Sequence, residues 1–275
     1  MPVTVTSTSN SPRISIIVPS FNEPEHVLRE SLDSIAAQTF SDFECLVIDE
    51  STQAEAEACC RALCERDARF RYVHPEQRIG LAASLNLGIQ MARAQLIARF
   101  DADDICLPYR LERQLAFLDA HPDIGVLGAG LEIFSAERGT IAIRHYPAGA
   151  ARIERRFQCT TPIAHPTVMM RKSVLEQFGT YNPDFRFAED LDLWLRLLNQ
   201  GVRFANLPDV LVRYRQQSTA RNSLHWQFNV KARINNFSHR YWLLRVMGLV
   251  AISTWRIIPK PIQEQVFHLL ILRKR

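Results

Sequence analysis

The stretch LIARFDADD, residues 96–104, runs a short apolar segment straight into three carboxylates, Asp101, Asp103 and Asp104. An apolar run of that length, closed by polar residues, reads as a buried strand. The same unit recurs upstream: ISIIV (14–18) precedes a helix-period segment at 24–38, FECLVI (43–48) precedes one at 53–67, and FRYV (70–73) precedes one at 80–93. Strands alternating with helices, and apolar on both faces, predict an α/β fold with a mainly parallel sheet covered on both sides. Such sheets bind ligands beyond the carboxyl ends of their strands.

Three of those strand ends carry acids or amides. ISIIV leads into PSFNE with Asn22 and Glu23, FECLVI leads into Asp49 and Glu50, and LIARF leads into the aspartate cluster. Any one of them is an ordinary helix start, where such side chains satisfy free N–H groups. Three on one edge predict a site. Like charges crowded into a partly dry cleft either take up protons or hold a cation between them. Oxygen ligands at i and i+2 suit Mg²⁺ or Mn²⁺, which complete their shells with water and a diphosphate. A calcium-binding EF-hand loop fails, because Ile105 and Cys106 stand where a ligand and the turn glycine belong. An aspartyl-nucleophile phosphatase would carry Asp-x-Asp after the first strand, where this chain has PSFNE.

The motifs VPSFNE, VIDE, GLAASLNLGI, ARFDADDICLPYRLERQ, HPTVMMRKSVL and FAEDLDLWLRLLNQG occur in that order. Together they resemble glycosyltransferase family 2 of the bacterial polysaccharide and O-antigen type, whose fold is the Rossmann-like GT-A fold of nucleotide-diphospho-sugar transferases. The resemblance spans residues 14–214. It implies an inverting, divalent-metal-dependent transfer of a sugar from a nucleotide sugar, a UDP-sugar, to a growing surface glycan or lipid-linked acceptor, with Mn²⁺ or Mg²⁺ as cofactor. By the same resemblance Asp103 is a direct metal ligand and Asp101 lies toward ribose and metal, while Asp104 is either a ligand or a turn cap. Pro19, Ser20, Phe21 and Glu23 match the nucleotide-binding first loop, and Asp49 the acid that meets the base.

On pattern alone, Glu189 and Asp190 are first-turn acids ahead of the apolar face Leu191, Trp194, Leu195 and Leu198. The resemblance makes Asp190 the general base and Glu189 its orienting or acceptor-holding neighbour. One base is enough, since a diphosphate leaving group needs no protonating acid of the kind glycosidases use. His165 reads as a packing or acceptor-contact residue. The chain departs from the family in having DESTQAE where DDGSTD is common, and in lacking the usual Asn before GLA. Arg78, in EQRIGLA, is either a phosphate contact or a solvated surface arginine.

Charge divides the 275 residues unevenly. From Asn222 onward nine Lys and Arg face the single acid Glu264, which leaves 24 basic and 28 acidic residues before it. The expected organisation is therefore a disordered lead-in (1–13), a catalytic domain (14–221) and a basic amphipathic helical tail (222–275). The uncharged run 246–255 is too short to cross a bilayer, but its aromatic and basic company suits an anionic membrane surface as well as packing on the body. Nucleic-acid binding lacks a motif. The first residues, MPVTVTSTSNSP, have neither the basic start nor the apolar core of a signal peptide, so the expected location is cytoplasmic, with peripheral attachment to the inner face of the cell membrane. The six cysteines have no zinc spacing and read as small core residues. Two rivals stay open: a catalytically silent, membrane-attached scaffold and a nucleotidyltransferase, the latter lacking a glycine-rich phosphate loop after the first strand.

Overall fold

The computed structural model describes residues 11–216, 223–255 and 258. The expected alternation is there, with limits within a few residues of those read from the sequence: β1 (Ile14–Ser20), α1 (Glu25–Ala36), β2 (Phe43–Asp49), α2 (Ala54–Cys64), β3 (Phe70–Val73), α3 (Leu81–Met91) and β4 (Leu96–Arg99). Next come β5 (Ile105–Cys106), α4 (Arg110–Ala120), β6 (Ile124–Ser135), β7 (Gly139–Arg144) and α5 (Ala150–Phe157). A short 3₁₀ turn at His165–Thr167 leads to β8 (Met169–Arg171), α6 (Lys172–Phe178), α7 (Glu189–Asn199) and β9 (Arg203–Arg215). Two helices follow, α8 (Ser223–Asn235) and α9 (Trp242–Trp255).

All strands join one sheet in the order β3-β2-β1-β4-β8-β6-β9-β5, with β7 paired to β6. β3, β2, β1 and β4 are parallel, whereas β8 runs antiparallel to both β4 and β6. The sheet is thus α/β and mixed, its parallel half lying where the strand–helix units recur. β1 shows how both faces are covered. Ile14, Ile16 and Val18 enter a core with Leu28, Leu32, Leu111 and Leu115, while Ile17 enters a second core with Leu85, Ile89, Leu191 and Trp194. Side chains alternate across a strand, so a strand apolar at every position must be buried on two sides. Cys45, Cys60, Cys64 and Cys106 are buried in the first of these cores as free thiols.

The register sets the site. Ser20 pairs with Asp49 and Ile17 with Arg99, so the ends of β1, β2 and β4 open on one edge. Arg13, placed in the expected lead-in, instead holds Asp119 at 2.9 Å, and residues 1–10 lie outside the described residues.

The tail helices pack on the body. Arg233, buried, donates to the carbonyls of Phe157, Gln158 and Thr160 at 2.7, 3.1 and 3.2 Å. Asn236 donates its side-chain amide to Asp192 of α7 at 2.9 Å. Arg245, also buried, donates to Asn199 at 2.8 Å. Two of the tail's cations therefore serve internal carbonyl groups and not an outer surface. The basic cluster at 273–275, with Arg256 and Lys260, lies outside the described residues.

Candidate active site

Asn22, in the loop after β1, has φ 51°, the left-handed region that asparagine tolerates better than most residues. Its Oδ1 accepts the N–H groups of Thr52 and Gln53 at 2.9 and 3.1 Å, and its own N–H donates to Ser51 Oγ at 2.9 Å. The first loop is thereby tied to the loop after β2, which gives DESTQAE a fixed shape without the family's glycine. Of the expected nucleotide-binding residues, Phe21 is exposed, Pro19 and Glu23 are half-buried, and Ser20 is buried. Asp49 is enclosed at the end of β2: one oxygen accepts from Ser51 Oγ at 2.6 Å, the other from Tyr72 Oη at 3.1 Å. A nucleobase reaching it competes with those two hydroxyls.

Glu50, one of the acids at the strand ends, has no role that its sequence position assigns, yet it organises the next loop. Its carboxylate accepts the N–H groups of Ile79 and Gly80 at 2.7 Å each, and the Ser84 hydroxyl. Gly80 takes φ 83° to make that turn. The turn sets Arg78 with its guanidinium 3.9 Å from the centre of the Phe21 ring. Arg78 is exposed but not loose; it stacks on the residue expected to meet nucleotide.

At the end of β4 the acids are sorted by burial. Arg99 is buried and pairs with the Asp101 carboxylate. Arg110, fully buried, donates to the Arg99 carbonyl at 2.7 Å and fixes the strand end. Neither arginine was foreseen, though a cation inside the apolar run LIARF is itself a signal, because a buried charge requires a partner. Burial and neighbouring Asp101 push the Asp103 carboxyl up to about 6. Burial, with Asp103 and Asp101 facing it, pushes Glu23 up to about 7. Glu23, Asp101 and Asp103 thus lie within one another's electrostatic reach, with Arg215 opposing them and Arg99 beside the two aspartates. Asp104 is different. It is buried, its Oδ1 accepts the Arg215 N–H at 2.8 Å, and its Oδ2 has no hydrogen-bond partner, so it anchors the turn to the end of β9. Among the described residues no three His, Cys, Asp or Glu side chains form a ready-made metal cage.

The second acidic pair sits at the start of α7, after Ala188 with φ 57°. A non-glycine residue held in that region marks backbone strain at the pair. Glu189 is buried, and burial with the adjacent Asp190 pushes its carboxyl up to about 7. Asp190 is half-buried and accepts the Leu191 N–H at 2.7 Å. Behind them, His165 Nε2 and Tyr181 Oη are 2.8 Å apart, and His165 Nδ1 is 3.8 Å from Glu189. Burial and the charge of Arg99 hold His165 well below its ordinary pKa, hence neutral. Asn86 of α3 accepts the Tyr181 N–H at 2.9 Å and donates to its carbonyl at 2.8 Å, clamping this network. His165 is packed as expected. Arg99 bears electrostatically on both Asp101 and Glu189, linking the two acidic groups.

Residues 15–179 match the family model described as glycosyl transferase family 2. The chain is 31% identical to the amylovoran biosynthesis glycosyltransferase AmsE of Erwinia amylovora over 74% of this chain and 76% of that one. It is 32% identical to the O-antigen biosynthesis glycosyltransferase WbnJ of Escherichia coli, over 75% and 85%. Among solved structures, S. aureus TarS 1-349 in complex with UDP-GlcNAc superposes with a TM-score of 0.67 at 19% identity, covering 86% of this chain and 71% of that one. The match spans only 39% of the longer TarS chain. The mannosyltransferase PcManGT of Pyrobaculum calidifontis, in complex with GDP-Man and Mn²⁺, superposes with a TM-score of 0.64 at 18% identity, covering 95% and 81%. These likenesses carry the GT-A fold.

Proposed function

The chain belongs to glycosyl transferase family 2 and is a glycosyltransferase, and from that premise we propose that it transfers a sugar from a UDP-sugar, with inversion and with a divalent cation, to a lipid-linked or growing surface glycan. The observation that carries this reading is the meeting of Glu23, Asp101 and Asp103 at the ends of β1 and β4, with the carboxyls of Glu23 and Asp103 pushed upward by burial and mutual repulsion. Carboxyls crowded in this way, and pushed upward by burial and by one another, suit a hard dication. Asp103, with Asp101, would hold it. One or two protein carboxylates fit an ion that takes the rest of its shell from diphosphate and water. Bound there, Mn²⁺ or Mg²⁺ supplies charge neutralisation for the departing nucleoside diphosphate.

The chain's own groups do the rest. The loop Pro19, Ser20, Phe21 and Glu23, with Arg78 stacked on Phe21, flanks the nucleotide, and Asp49 lies at the floor for the base. Asp190, more open to solvent than Glu189, takes the proton from the acceptor hydroxyl. That oxygen bonds to the anomeric carbon as the bond to diphosphate breaks on the opposite face, which inverts the configuration. Glu189, shared with His165, orients Asp190 or the acceptor. The pairing of Asp101 with a buried arginine and the strain at Ala188 are costs that a silent scaffold has no reason to keep.

The test is UDP release from UDP-sugars with Mn²⁺ or EDTA. Asp103→Ala should abolish metal-dependent UDP binding and leave the fold intact. Full UDP affinity of the wild type in EDTA would refute the metal assignment.

A further inference from the structure

Helix α9 is built inside out. Its buried residues are Arg245, Gly248 and Ile252, while Trp242, Leu243, Val246, Met247 and Val250 are exposed, Met247 at 63% and Val250 at 60%. At 3.6 residues per turn those five side chains span roughly 140° of the helix surface, opposite the buried stripe. The inward face is fixed. Arg245 bonds to Asn199, and at Gly248 the helix lies so close to residues 158–159 that a Cβ would stand 3.0 Å from Cys159 Cα and overlap the Gln158 carbonyl. The helix cannot turn its apolar side inward without giving up both contacts. A contiguous apolar face on a described surface marks a contact site.

Its rim says with what. The start of α9 borders α5 across an open cavity of about 520 Å³ lined by Ala151, Arg152, Arg155, Tyr241 and Leu244. Arg152, Arg155 and Arg156 are exposed on α5, and Arg240 precedes α9. The one acid among them, Glu154, is already paired with Arg240 at 2.9 Å. An apolar strip beside a cationic rim complements a surface with an apolar interior and anionic head groups. A two-fold contact of this face with a second copy would instead bring two cationic rims together.

We propose that the composite face of α9 and α5 docks on an anionic lipid bilayer, the α9 row entering the acyl boundary and Arg152 and Arg155 meeting lipid phosphates. The attachment thus uses arginines of the catalytic body, and not Arg233 or Arg245 of the tail. It deepens the reading of a lipid-linked acceptor, and the vesicle binding that decides it is read without donor, acceptor or metal, so the two can fail separately. The full chain is sedimented with vesicles of phosphatidylcholine alone and of phosphatidylcholine with an equal part of phosphatidylglycerol. Binding to the anionic vesicles is expected, weakened by salt, and lost on neutral ones. The surface variants Val246→Glu/Met247→Glu and Arg152→Gln/Arg155→Gln should each lower the apparent affinity by about tenfold or more with unchanged melting temperature and unchanged UDP release. Wild-type indifference to anionic vesicles overturns the proposal, as does undiminished binding by the Val246→Glu/Met247→Glu variant. A wild-type dimer that this variant converts to monomer, with no vesicle binding, assigns the face to a second copy instead.

Discussion

A guanidinium as deeply buried as that of Arg99 persists because Asp101 pairs with it and because other carboxylates, Glu189 among them, lie within its field. Through that one residue the acids after β4 and those at the start of α7 share an electrostatic environment, although some ninety residues of sequence separate them. Glu189 carries the measurable consequence. Its carboxyl stands at about 7 in the folded chain, against an ordinary 4.5, chiefly through burial. Between those values the folded protein keeps a proton that the unfolded chain has lost. The contribution to stability is therefore present at low pH and is lost as pH rises through about 7. Glu189→Gln cannot ionise, so its melting temperature should gain on that of the wild type as pH is raised from about 5 to about 8. A difference that does not change with pH would mean that Glu189 is ionised throughout.

At the level of elements, packing of α9 through Gly248 is the most exposed to a single change. Gly248→Ala puts a methyl group against backbone atoms of residues 158–159, which cannot yield as a flexible side chain can. Overpacking of this kind costs about 1–3 kcal/mol, so the variant should unfold at lower urea concentration than the wild type. Equal stability would mean that α9 does not rest on the body as described. The same comparison of elements shows what the sequence revealed. The strands at 14–18, 43–48 and 70–73 were legible because parallel strands, apolar on both faces, leave an uninterrupted signal. The antiparallel return of β8 was not, since a three-residue strand after a turn has no periodicity to read. Likewise Asp101, Asp103 and Glu23 could be seen as a converging group from their positions after strands. Glu50, Arg99 and Arg110 could not be given roles, because what they do depends on which loop or carbonyl the fold brings to them. In the tail, charge counting pointed to a basic surface, whereas Arg233 and Arg245 are turned inward by carbonyl groups that only the folded body supplies.

For the whole molecule, no helix among the described residues is long and apolar enough to cross a membrane. The parts form a consistent machine: a parallel half-sheet that opens on the proposed nucleotide site, a strained helix start that carries two acids, and an appended helix whose apolar face looks outward. The proposed division of labour makes Asp190 the residue that separates an enzyme from a preserved scaffold. A general base contributes typically about 10²- to 10⁴-fold in rate, whereas a first-turn acid contributes only about 0.3–1 kcal/mol of stability. Asp190→Asn keeps the side chain's size and an oxygen for the Leu191 N–H while removing the basic function. The direct measurement is turnover with donor, Mn²⁺ and an accepting glycan, read as UDP release alongside UDP-sugar affinity. The account predicts transfer reduced by at least about 10²-fold with donor affinity nearly unchanged; turnover within a few-fold of the wild type would contradict it and remove Asp190 from the mechanism.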